Sequence, residues 1–223
     1  MDLKLTILLF TSVLTALVAA IVYLGNPRGV VQRSFVALIS FFVIWALFVA
    51  SVYLSRDAVT ATFLTRMTTM ASLITAFLFW NFCVQFPVKT LNTSHITRWL
   101  FIIMVCAVPL IMLNIGAYRE VLPSAEGKIF IMNPLPFAIH IASILSIFGA
   151  AYWMLFKKHK LLSGLNKRLV DIVMVAAAIP IVAGLIFNLF FLNRFRNDLY
   201  MYGPCFTIFF TLAVAYLIIR SRK

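Results

Sequence analysis

The sequence predicts an all-α membrane protein: a single bundle of seven transmembrane helices over residues 1–223, amino terminus outside, carboxyl terminus in the cytoplasm. Three observations predict it. Of 223 residues, 64% are hydrophobic and 11% charged, where a soluble domain has roughly half apolar and about a quarter charged; mean hydropathy is +1.05. Seven apolar runs each approach the ~20 residues that a helix needs to cross a bilayer. Lys and Arg divide unequally between the two sets of connecting segments, and the richer set belongs in the cytoplasm.

The first run, 3–24, follows the weakly charged leader Met1-Asp2-Leu3-Lys4. Its apolar core is too long for a signal peptide, and no small-residue cleavage site precedes a polar stretch, so it is read as a retained span. Asn26-Pro27-Arg28-Gly29 ends it. The second run, 34–54, carries Trp45, expected in the bundle core. The third, 67–86, is marked by polar residues: Thr68, Ser72 and Thr75 recur on one face, Asn81 and Gln85 follow at i, i+4, and Pro87 stops it. The fourth, 99–117, contains Pro109 and ends near Asn114. Pro123 and Asn133-Pro134-Leu135-Pro136 mark the loop before the fifth, 135–156, which holds His140 and Ser143. Ser163-Gly164 separates the sixth, 169–192, which Pro180 can kink and which bears Gly184 and Asn188. The seventh, 202–219, opens at Gly203-Pro204 and runs into Arg220, Arg222 and Lys223 without a Gly or Asn cap. That uncapped end is expected to continue as a helix into a following domain.

Arg28, Arg33, Lys89, Arg98, the five cations of 157–168 and the three of the tail make twelve on one side. Lys4, Arg56, Arg66, Arg119, Lys128, Arg194 and Arg196 make seven on the other. The net charge of +13 lies in short separate clusters, which suit anionic headgroups and no nucleic acid, whose backbone needs a continuous stripe. Trp99 and Trp153 fall at the inner boundaries, where aromatic belts form. Cys83, Cys106 and Cys205 all lie in apolar runs, without the spacing of a disulfide framework or zinc site.

Several chemistries lack their parts. Within the spans His140 is the one ionisable residue, and Asp171, at the edge of the sixth, is expected to pair with Arg168. Ion-coupled transport and intramembrane proteolysis by aspartates need mid-membrane carboxylates. A retinal protein needs a Lys in its last span, and an intramembrane metalloenzyme needs clustered ligands. No phosphate-cradling Gly loop occurs. No catalytic residue, metal or cofactor is expected.

Two polar constellations remain. Asn114, His140, Ser143 and Asn188 share a depth toward the outer side, with Tyr118 and Tyr202 flanking. Converging, they would line an outward-open cavity suited to a small molecule. Otherwise His140 bonds a neighbouring backbone carbonyl and the asparagines serve packing. Asn81 and Gln85, toward the cytoplasmic end, are either interhelical glue or a polar latch that rearranges on signalling.

The ordered elements "RSFVALISFFVIWAL", "FCVQFP", "GLIFNLFFLN" with Asn188, and Gly203-Pro204 followed by "AVAYLIIRSR" resemble the seven-transmembrane sensor domain at the amino terminus of many bacterial histidine kinases. The resemblance covers nearly the whole chain. It implies the input module of a two-component receptor in the cell membrane, with the last helix relaying to a cytoplasmic kinase domain. That kinase domain is expected either on the same chain or on a partner, since 1–223 holds no nucleotide site. The other expected partners are the bilayer with its anionic headgroups, a second copy in a homodimer, and an unnamed small-molecule ligand. The alternatives are a small-molecule transporter or channel subunit, and a membrane scaffold for another protein.

Overall fold

A computed structural model describes residues 2–88, 116–124, 127–187 and 198–220. Among these, six helices are long and apolar enough to cross a membrane. They are α1 (Leu3–Gly25), α2 (Val30–Leu54), α3 (Ala58–Gln85), α4 (Pro134–Leu161), α5 (Gly164–Leu185) and the span Tyr200–Arg220, in which 3₁₀ turns at Asp198–Tyr202 and Pro204–Phe206 lead into α6 (Thr207–Arg220). The span expected over 99–117 lies, except for its last two residues, outside the described residues, as do Asn114, Asn188, Trp99 and Cys106.

Lipid as solvent explains why these helices are apolar on every face. Phe10, Leu24, Val59 and Val175 point outward and are exposed. Apolar burial therefore drives little of the assembly, and close packing and hydrogen bonds carry it. The helices pack as a ring: α1 on α2, α2 on α3, α3 on α4, α4 on α5, α5 on α6, and α6 back on α1. Phe35, Phe82 and Phe210 are fully buried in its centre. Phe82 meets Phe35 and Phe210 with ring centroids 6.1 Å apart and stacks on Phe86 at 5.1 Å. Such aromatic pairs add about 0.5–1.5 kcal/mol each beyond their buried area.

Three boundaries correct the sequence reading. α3 begins nine residues before the expected 67, because Asp57 caps it, accepting from the Thr60 amide at 2.7 Å. Its polar opening turns stay helical because Thr62 and Thr65 donate back to the Ala58 and Ala61 carbonyls at 2.7 and 2.8 Å. Arg66, counted among the linkers, thus lies inside α3. α4 runs through Lys157, Lys158 and Lys160 to Leu161, cations favoured at a helix carboxyl end. Regular helix at the seventh span starts only at Thr207. Pro204 has no amide proton to give, and 3₁₀ turns fill 198–206.

The segment expected as a loop before α4 is an antiparallel hairpin, β1 (Tyr118–Ser124) with β2 (Gly127–Met132), pairing Val121 with Phe130 and Leu122 with Ile129. It adds a two-stranded sheet to the helical bundle. It is pinned to α3 by the Val121 amide donating to Thr62 Oγ1 at 2.9 Å, and Lys128 Nζ donates to the Ser55 carbonyl. Gly116 leads into it with φ +67°, and a Cβ there would sit 2.6 Å from Arg66 Nε, so a side chain is excluded on both counts.

Candidate functional site

The ring encloses a cavity of about 160 Å³. Its polar wall is one face of α3, where Thr65, Thr68, Thr69, Ser72 and Thr75 recur at three- and four-residue spacing. Four of these hydroxyls donate within their own helix: Thr65 to Ala61, Thr68 to Leu64 and Thr69 to Thr65 at 2.8–2.9 Å, and Ser72 to Thr69 at 2.7 Å. Their protons are committed, and each oxygen keeps acceptor capacity at the wall. Thr75 Oγ1 is buried and makes no hydrogen bond.

His140 faces this wall from α4 and is 7% exposed. Its Nε2 lies 3.5 Å from Ser72 Oγ, and its Nδ1 is buried without a hydrogen-bond partner among the described residues. Neither ring nitrogen bonds a backbone carbonyl among the described residues. Pro180 and Gly184 of α5 also line the cavity. At one end Tyr118 and Phe130 of the hairpin close over it, the Tyr118 ring packed against Phe130 at 5.6 Å and Phe137 at 5.8 Å. On the remaining side stand Thr207 and Phe210 of α6. Phe210 presents its ring edge-on to Phe42 at 6.1 Å and Phe79 at 5.8 Å, both cavity residues themselves.

Of the residues proposed from the sequence to meet a ligand, His140 and Tyr118 share this cavity, and Thr68, Ser72 and Thr75 of the polar stripe line it with them. Ser143 stands off its wall, its hydroxyl donating to Ile139 at 2.8 Å. Tyr202 also stands off it, its ring 6.2 Å from that of Phe187. The expected meeting of His140 with Asn114 and Asn188 lies outside the described residues. Neither Asn81 nor Gln85 bonds another described residue through its side chain. Asp171 pairs with His159, 2.5 Å from its Nδ1, and not with Arg168. Sequence reasoning missed Thr65, Thr69, Thr207 and Phe210. The first two carried a signal, since with Thr68, Ser72 and Thr75 they extend one hydroxyl-bearing face over three turns.

Six membrane-length helices around an interior cavity define a multi-pass helical membrane protein. The family model for the N-terminal 7TM region of histidine kinase matches residues 7–222, and the chain belongs to that family. Bacterial two-component signalling follows from this membership. The match covers the transmembrane region and no catalytic kinase domain. A comparison with curated proteins finds no match.

Proposed function

We propose that the chain is the non-catalytic input module of a histidine-kinase-type receptor in the inner membrane. The cavity takes a small molecule from the outer side, and α6 carries the effect to a cytoplasmic kinase domain, attached or partnered. One observation carries this reading: the last helix is itself a wall of the cavity, through Thr207 and Phe210. A ligand there touches the element that leaves the membrane, with no intermediary. It shifts signalling only by binding one packing of the helices better than another, and the edge-on rings around Phe210 are surfaces along which two packings can differ. Asn81 and Gln85, toward the cytoplasmic end of α3, are the amides expected to exchange partners between those packings.

The test is a chimera in which α6 runs on into a histidine-kinase cytoplasmic region. Thr207→Trp fills the cavity from α6 and is expected to lock kinase output at one level. Tyr216→Trp, on the exposed face of the same helix at 58% exposure, is expected to leave output responsive. Equal behaviour of the two variants, or solute flux through the purified chain in liposomes, would overturn the proposal.

A further inference from the structure

The hydrogen-bond inventory around His140 specifies what the cavity asks of a ligand. Ser72 Oγ donates its proton to the Thr69 carbonyl at 2.7 Å and meets His140 Nε2 at 3.5 Å. The shorter contact holds the hydroxyl proton, so Ser72 faces the imidazole as an acceptor. With the ring proton on Nε2, toward that acceptor, Nδ1 is a bare acceptor, buried and without a partner among the described residues. The protons of Thr65, Thr68 and Thr69 are committed to their own helix, and Thr75 Oγ1, which makes no bond among the described residues, does not reach Nδ1. Among the described lining residues none is Asp, Glu, Lys or Arg. A charged ligand would therefore lose its hydration without gaining a counter-ion from them. Phe42, Phe79, Phe137 and Phe148 supply flat apolar walls.

We infer that the ligand is an uncharged, largely apolar molecule that donates a hydrogen bond, from a hydroxyl or an N–H, to Nδ1 of His140. This rests on the reading of the cavity as the ligand site and adds the chemistry of what enters it. The specificity follows from desolvation. A molecule of the same shape without the donor leaves Nδ1 buried and unmet, and a site built around a hydrogen bond discriminates strongly against such an analogue.

Three probes of one shape separate the possibilities: 2-naphthol, which donates; 2-methoxynaphthalene, which only accepts; and 2-naphthoate, which is charged. Their binding is measured to the chain in nanodiscs, with protein-free nanodiscs subtracted. The chain carries ¹⁵N-histidine, and its three histidines let His140 be assigned by comparison with His140→Leu. The ligand-free spectrum is expected to show His140 protonated at Nε2. 2-Naphthol should bind saturably, about tenfold or more tighter than 2-methoxynaphthalene, and should move the Nδ1 resonance in the direction of an accepted hydrogen bond. In His140→Leu that preference should vanish while both neutral probes still bind. If the variant does not fold, the wild-type spectrum and the probe ratio decide alone. A proton on Nδ1 without ligand, equal binding of the two neutral probes, or tightest binding of 2-naphthoate would overturn the ligand class and leave the cavity as a binding site. Saturable binding of none of the three would overturn the cavity reading together with it.

Discussion

Lys158 is fully buried, yet each of its three ammonium protons has an acceptor: the carbonyls of Val84 and Phe86 at 2.7 Å and of Val88 at 2.9 Å. The Val84 and Phe86 carbonyls stand at the carboxyl end of α3, where the last peptide oxygens lack intrahelical donors and the helix dipole favours a cation, and Val88 follows in the exit segment. One side chain of α4 thus closes α3. Lys158→Met is expected to lower stability by about 3 kcal/mol, roughly 1 for each carbonyl left without its donor. Lys157→Met is expected to cost under about 1 kcal/mol, since Lys157 is exposed and loses only a ring contact with Trp153. Unfolding of both variants in a denaturing-detergent titration makes the comparison, and equal losses would refute the capping role. In the sequence Lys158 is one cation in "KKHK". The signal that sets it apart is helical spacing: Ala151, Leu155 and Lys158 share a face, and all three are fully buried. That signal is invisible when the helix is stopped at 156, as apolar length alone suggests.

α3 is the element on which most of the site depends, and its start is set by one carboxylate. The Thr60 amide holds the Asp57 carboxyl below its ordinary value of 3.8. A depressed folded-state pKa means the cap's contribution is complete above the unfolded value and is lost as pH falls through the folded one. Asp57→Ala is expected to lower Tm at pH 7, and Asp57→Ser to restore most of it, because Ser also caps. The gap between wild type and Asp57→Ala should narrow below about pH 4. A gap independent of pH would exclude the carboxylate as its source. The same element shows what the sequence conceals. α1 and α2 are legible because their apolar runs coincide with their helices. The first nine residues of α3 are not, because Thr62, Thr65 and Arg66 look like linker until the two threonine hydroxyls are seen bonding back to the helix. The hairpin was hidden for a similar reason: Pro123 reads as a loop breaker, while Val121, Ile129 and Ile131 carry a strand pattern too short to stand out beside membrane spans. His140 stood out in the sequence because an ionisable group inside a span is rare, and it lines the cavity. Thr207 and Phe210 did not stand out, since only tertiary packing shows which face of α6 meets a cavity.

For the whole molecule, the charge bias that orients it can now be weighed residue by residue. The helix ends sort the described cations into the same two groups as the sequence segments. Lys4, Arg56, Arg119 and Lys128 lie at the hairpin end; Arg28, Arg33, the 157–168 cluster and Arg220 lie at the other. The acidic residues reinforce the contrast, with Asp2, Asp57 and Glu120 at the hairpin end and Asp171 opposite. Two cations leave the count on physical grounds. Lys158 bonds inward, and Arg66 lies within α3 with its Nε buried, so neither is offered freely to headgroups. Twelve against seven becomes eleven against six, and the bias survives. Each remaining cation near an anionic leaflet is worth about 1 kcal/mol, so a difference of five favours the orientation we propose, with the carboxyl terminus inside. A cytoplasm-active reporter is accordingly expected to work when fused after Lys223 or inserted in 157–168. It is expected to be silent at the amino terminus or in the hairpin turn at 125, where an export-dependent reporter should be active instead. A cytoplasm-active signal at 125 would reverse the molecule in the membrane. It would open the cavity's hairpin end to the cytoplasm and remove the basis for a ligand arriving from outside.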